Sequence, residues 1–211
     1  MYESGYSVEC SVAGSKKYII GIDPGLRCTG WGVIEVESQS HTKLRYHASG
    51  VIRTSSVKKQ DRGAIAEDCS VMDYRDYAKL MSGDKRDGGT IAWRITRIYG
   101  ALSELFTKFN ISGGAIENTY TNINSASSLK LAHARAAAII AAYNGGVVLQ
   151  EYPAKTIKKM ISGDGNADKE QLQRSVLMHL PNVELSQVKC SDESDALAIA
   201  ICCAYDAMCV G

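Results

Sequence analysis

The sequence predicts an α/β domain with a mixed sheet covered by helices, and three observations carry that reading. Residues 18–22 (YIIGI) are a short β-branched run of the kind buried on both faces of a sheet, halted by Pro24-Gly25. Two more strand-like segments follow before any helical periodicity begins. From residue 91 onward, helix-period segments alternate with short apolar runs, giving the order three strands, helix, strand, helix, strand, then helices. At 211 residues the chain is the size of one domain with a substantial core.

Residues 1–17 lack apolar periodicity and are rich in Ser and Gly, so they read as a flexible extension ahead of a single domain over 18–211. Strands at 29–36 and 44–53, joined by the polar turn 37–43, complete an antiparallel meander with the first. Residues 54–90 dissolve into Lys, Asp, Arg, Ser and Gly and read as a mobile insertion, with one short helix near 71–81. In Ile91–Phe109 the residues Ile91, Ile95, Ile98, Leu102, Leu105 and Phe106 form one apolar stripe, so that helix covers the sheet. A buried strand at 113–117 delivers Glu117 at its end. Asn124 or Ser125 then caps a helix running to Tyr143, stopped by Gly145-Gly146. Its many alanines allow close approach, either to the sheet or to a second copy. A strand at 147–152, a helix at 154–161 opened by Pro153, a helix at 167–180 ended by Pro181, and an apolar helix at 192–208 complete the chain.

Composition excludes several classes. A net charge of +1 with 22% charged residues rules out an extended basic tail, so nucleic-acid binding would need a local patch. The apolar run 132–143 is too short to span a membrane and carries His133 and Arg135, so no membrane role is expected. The seven cysteines, Cys202-Cys203 among them, show neither CxxC nor zinc-ligand spacing, and no signal peptide precedes them. Reduced thiols in a cytoplasmic protein are the expectation.

The chemistry lies in four carboxylates. Asp23 stands at the end of the first strand and Glu117 at the end of the fourth. Asp192 and Asp195 stand at i and i+3 in the first turn of the last helix, so both project from one face. Taken singly, Asp23 could merely start its turn and the helical pair could merely complement the positive helix end. Taken together, four carboxylates at one site repel unless divalent cations compensate them. The economical reading is a two-metal phosphodiester hydrolase, with ions about 3.5–4 Å apart.

The same residues carry a family resemblance. Ile20-Gly21-Ile22-Asp23-Pro24-Gly25, Thr29-Gly30-Trp31-Gly32, Ala115-Ile116-Glu117, Leu129-Lys130-Leu131 with Ala134-Arg135-Ala136, and the stretch from Asp192 to Ala200 (DESDALAIA) resemble the RuvC-type Holliday-junction resolvases. The resemblance covers 18–53 and 91–205 and implies an RNase H-like fold, a homodimer, and paired symmetric nicks in a four-way DNA junction. Two Mg²⁺ or Mn²⁺ ions per site and a branch-migration partner of the RuvA/RuvB type are likewise implied. By position, Asp23, Glu117, Asp192 and Asp195 match the metal-binding carboxylates, and Lys158 and Lys169 match lysines near the scissile phosphate. Tyr120 stands where the family has an aromatic that stacks on an unpaired base. Lys155, Lys158, Lys159, Lys169 and Arg174 could form one basic face for DNA.

Two other classes compete. An actin-like ATP-binding protein or sugar kinase also begins with a strand ending in Gly-Ile-Asp, but needs a second related domain, and nothing here repeats the first motif. A junction-binding module without catalysis would not need four acidic positions.

Overall fold

The computed structural model describes residues 16–37, 43–54, 91–118, 125–183, 188 and 190–209. Within them lie strands β1 (Lys17–Asp23), β2 (Cys28–Val36), β3 (Leu44–Arg53), β4 (Gly113–Asn118) and β5 (Leu149–Pro153). The helices are α1 (Ile91–Phe109), α2 (Ser125–Asn144), α3 (Ala154–Ser162), α4 (Lys169–His179) and α5 (Ser191–Cys209). The strands form one sheet in the order β3-β2-β1-β4-β5. β1, β2 and β3 pair antiparallel, as the meander predicts, while β4 and β5 run parallel to β1. The α/β fold with a mixed sheet is therefore as the sequence predicts.

Alternation along the strands divides the core. Ile20, Ile22, Val33 and Ile116 pack with Ile98, Leu102 and Phe106 of α1 and with Ala134, Ala137, Ala138 and Ala141 of α2. Ile19, Ile34, Ala115 and Tyr152 point the other way, against Ile157, Leu172 and Val176 of α3 and α4 and the apolar length of α5. Because side chains alternate with a period of two, Asp23 follows Ile19 and Gly21 onto the α5 face, and Glu117 follows Ala115 onto it.

Several local expectations shift. Lys17 opens β1, and Lys16 pairs with Glu35 at 3.0 Å, so these two residues ahead of Tyr18 take part in the fold. Thr54, read as the first residue of a loop, is fully buried; its N–H donates to the Arg27 carbonyl at 3.0 Å and its hydroxyl bonds the Leu26 carbonyl. The helix expected near 71–81 lies outside the described residues. In α1, Ile91 is exposed and Arg94 is buried in its place, donating to Thr54 Oγ1 at 3.1 Å. The strand expected at 147–152 begins only at Leu149. Val147 is used instead to close α2, its N–H donating to the Ala142 carbonyl at 2.9 Å beside Gly146 in the left-handed conformation. Helix α4 starts at Lys169, since Asp168 and Gln171 form a reciprocal capping box ahead of it.

Ala134 and Ala138, candidates for a seam between two copies, are fully buried within the chain. The outer face of α2 carries Leu129, Ile140 and Tyr143 instead, all exposed. Their spacing keeps them on one side of the helix.

Candidate active site

The site is built by bringing a helix end down onto strand ends. Strands β1 and β2 present Gly21, Gly30 and Gly32 to α5, which lies so close that no side chain fits at any of the three. A Cβ at Gly21 would collide with the Ala196 carbonyl, and one at Gly30 with the Asp192 carbonyl. At Gly32 it would meet the Leu197 side chain at 2.7 Å. The pairing of Asp23 with Gly30 across β1 and β2 therefore fixes the first turn of α5 beside Asp23. On the other side, Ile22 pairs with Ile116, which sets Glu117 one step further along β4 beside Asp23.

Each residue of Asp192-Glu193-Ser194-Asp195 has its own direction. Glu193 is buried and accepts a hydrogen bond from Ser49 Oγ at 2.9 Å, tying α5 to β3. Ser194 Oγ donates to the Ser191 carbonyl at 2.8 Å. Asp192 and Asp195 face the carboxylates of the strands. The turn that follows Asp23 is held by Thr29, whose Oγ1 donates to the Gly25 carbonyl at 2.8 Å.

The electrostatics show that the four acidic groups share one space. Burial, then Glu117, Asp195 and Asp192, push the Asp23 carboxyl up to about 7, against the pull of Lys169. Burial and then Asp195 raise Glu117, opposed by Lys158. Burial raises Asp195 too, with Lys169 and Lys158 opposing and Asp192 reinforcing. Burial is the first cause each time, and a neighbouring carboxylate adds to it.

This donor set fits a hard divalent cation: carboxylate oxygens only, partly removed from water, and short of positive charge. Among the described residues no three His, Cys, Asp or Glu side chains already close into a cage. The four share a field without meeting at one point.

The lysines divide into two groups. Lys158 and Lys169 act on the carboxylates electrostatically. They are also anchored: Lys158 Nζ donates to the Ala167 carbonyl at 2.8 Å, and Lys169 Nζ lies 3.5 Å from Ser191 Oγ at the start of α5. Lys155 and Lys159 are exposed one turn apart on α3, where a Cβ added at Gly165 would stand 3.9 Å from both of their Cβ atoms. Arg174 is exposed on α4 and pairs with Glu170 at 3.4 Å along the same helix. Tyr120 lies outside the described residues.

Three supports had no sequence signal of their own. Arg135 bonds the Glu117 carbonyl, Glu193 bonds Ser49, and Arg94 holds Thr54 under the turn after Asp23. Arg135 was visible only as part of a motif. The other two needed the partner across the fold to be known.

Comparison with known proteins points to one family. The family model described as Crossover junction endodeoxyribonuclease RuvC matches residues 19–73 and 82–203. That match omits 74–81. The crossover junction endodeoxyribonuclease RuvC of Cereibacter sphaeroides is 33% identical over 187 residues, covering 89% of this chain and 89% of the relative. That of Photobacterium profundum is 38% identical over 187 residues, covering 89% and 86%. The solved structure of T. thermophilus RuvC in complex with Holliday junction substrate superposes with a TM-score of 0.67 at 24% identity, covering 92% of this chain and 96% of that one. At that identity the likeness establishes the fold, which is RNase H-like.

Proposed function

We propose, for a chain that belongs to the RuvC family of crossover junction endodeoxyribonucleases, that its activity is the resolution of four-way DNA junctions by paired symmetric nicks. The observation that carries this is the gathering of Asp23, Glu117, Asp192 and Asp195 from three distant segments into one space, where burial and neighbouring carboxylates raise the proton affinity of Asp23, Glu117 and Asp195. The family is metal-dependent. Here the carboxylates would hold Mg²⁺ or Mn²⁺, two per site.

When bound, the ions supply compensating charge and the Lewis acidity that a phosphodiester's attacking water and leaving oxygen require. The chain's own groups do the rest. Asp23 and Glu117, on neighbouring strands, are the rigid half of the ligand set, and Asp192 and Asp195 on α5 are the half delivered by helix packing. Lys158 and Lys169, tethered beside the carboxylates, neutralise charge that develops on the phosphate. Lys155, Lys159 and Arg174 contact the DNA backbone further out, and Tyr120 stacks on a base at the junction.

Two cuts related by a two-fold axis call for two copies of the site, which an isologous dimer supplies. The face that supports this is the outer side of α1 and α2, where Ile95, Tyr99, His133 and Ile140 line a shallow apolar groove flanked by exposed Leu129 and Tyr143. A branch-migration complex of the RuvA/RuvB type is the natural supplier of the junction. The compartment is the cytoplasm, in keeping with Cys28, Cys190, Cys202 and Cys203 being free thiols. No helix among the described residues is long and apolar enough to cross a membrane.

A labelled four-way junction incubated with the protein and Mg²⁺ should yield two symmetric nicks, while ATP in a parallel reaction stays intact. A junction that is shifted in a gel but never cut would overturn the catalytic reading, and ATP turnover would point to the kinase class.

A further inference from the structure

We infer that Arg135 is a positioning residue for Glu117, acting from behind the sheet; this rests on Glu117 being a metal-binding carboxylate. The guanidinium bridges two acceptors. One nitrogen, Nη1, donates to the main-chain carbonyl of Glu117, and the other, Nη2, pairs with Glu151 Oε1 at 2.5 Å. In the parallel register of β4 and β5, Ile116 pairs with Glu151 and Glu117 with Tyr152, so the two acceptors stand on neighbouring strands at the edge where both strands end.

Alternation places these groups on opposite sides. The Glu117 side chain shares the α5 face with Ala115, whereas Arg135 rises from α2, which packs on the other face against Ile22 and Ile116. Buried Ala134 and Ala138 let α2 approach closely enough for a largely covered Arg135, its side chain 14% exposed, to reach the strand ends. Arg135 therefore reaches the site through the main chain of Glu117.

Its contact falls where the strand gives out. Asn118 is the last residue of β4, so the peptide after Glu117 has little ladder left to hold it. Fixing that carbonyl fixes the direction of the Glu117 Cα–Cβ bond. A planar fork can serve a carbonyl and a carboxylate at once, which a lysine ammonium on a flexible stem does poorly.

The test uses the full chain carrying Arg135→Met, Arg135→Lys or Glu151→Gln, with Glu117→Gln as reference. Circular dichroism reports the fold, calorimetric titration with Mn²⁺ in the absence of DNA reports the ligand set, and single-turnover cleavage of a four-way junction reports the rate. Support for a metal ligand from outside the ligand set typically changes affinity or activity by about 10–100-fold. Arg135→Met is expected to weaken Mn²⁺ binding about tenfold and slow cleavage at least as much, with junction affinity within about twofold of wild type. Arg135→Lys should recover only part of the loss, and adding Glu151→Gln to Arg135→Met should change nothing further. A folded Arg135→Met protein with wild-type Mn²⁺ binding and rate overturns the inference while Glu117→Gln is inactive. If Glu117→Gln is itself fully active, the reading of the site fails instead. Should Arg135→Met lose its fold, Arg135→Lys and Glu151→Gln decide: wild-type Mn²⁺ binding in both overturns the inference.

Discussion

Helices α2 and α5 are built from similar material and do opposite things. Both are rich in alanine and carry few charges beyond their first turns. Every residue of α5 from Ala196 to Ala204 is buried, because glycines in β1 and β2 remove the side chains that would hold it off and α3 and α4 cover its far side. α2 buries only one stripe, Ala134, Ala137, Ala138, Ala141 and Ala142, and leaves Leu129, Ile140 and Tyr143 in solvent. Alanine content decides neither outcome. What the opposing surface offers decides: a glycine track makes one helix a fixed mount for Asp192 and Asp195, and open space leaves the other an exposed apolar face.

Breaking the mount should have the largest effect. Gly21→Val puts a branched side chain into the Ala196 carbonyl and the Ala200 amide, and neither can move without lifting α5. A loss of about 3 kcal/mol or more is expected, a large share of a domain's stability, measurable as a lowered urea midpoint or as an unfolded product. Asp23→Asn tests the cargo of the mount and not its seat. Fold and junction affinity should persist while metal-dependent nicking falls by about a thousandfold or more, since phosphate contacts elsewhere carry binding. Near-wild-type nicking in that variant would remove Asp23 from the chemistry.

On the open helix the same kind of insult should be mild. Ile140→Asp adds a charge to an exposed position, so the melting of the monomer should stay within about 0.5 kcal/mol of wild type. Sedimentation should show the dimer loosened at least tenfold, and junctions should receive single nicks in place of paired ones. An unchanged dimer would mean that the seam lies elsewhere.

The smallest expected effect is in pH. In the metal-free protein Asp23 holds its proton up to about 7, against 3.8 for the ordinary carboxyl. Between those values the folded state binds more protons than the unfolded one, so the stability that this group contributes is present at low pH and is lost as pH rises towards 7. Metal must displace that proton, so Mn²⁺ affinity should fall as pH drops below about 7 and level off above it. Calorimetric titrations at several pH values between 5.5 and 8.5 would show a flat profile if Asp23 is not in the ligand set.

Most of the fold was legible because it rests on periodicity. The bounds of α1 and β3 follow the pattern residue for residue, and the alternation in YIIGID already sends Asp23 to the side opposite Ile20 and Ile22. Other features depend on partners far along the chain. Nothing in the spacing around residue 91 says that Arg94 turns inward, because its acceptor Thr54 is forty positions away and is itself held by the turn after Asp23. Val147 looks like strand on propensity, yet closing α2 claims its N–H. The alanines of α2 are compatible with a sheet or with a second copy, and only the packed core separates buried Ala134 and Ala138 from exposed Ile140. Arg174 shares the sequence neighbourhood of Lys169 but is paired with Glu170 along its own helix.

The central claim is that strand ends and a helix end, brought together by a glycine track, form one divalent-cation site. Crystals of the wild-type protein grown at pH 8 with Mn²⁺ test it most directly through anomalous scattering. The account predicts manganese peaks bounded by Asp23, Glu117, Asp192 and Asp195, with oxygen ligands at about 2.1 Å. Peaks away from these four residues, in crystals of protein that cuts junctions with Mn²⁺ in solution, would contradict it.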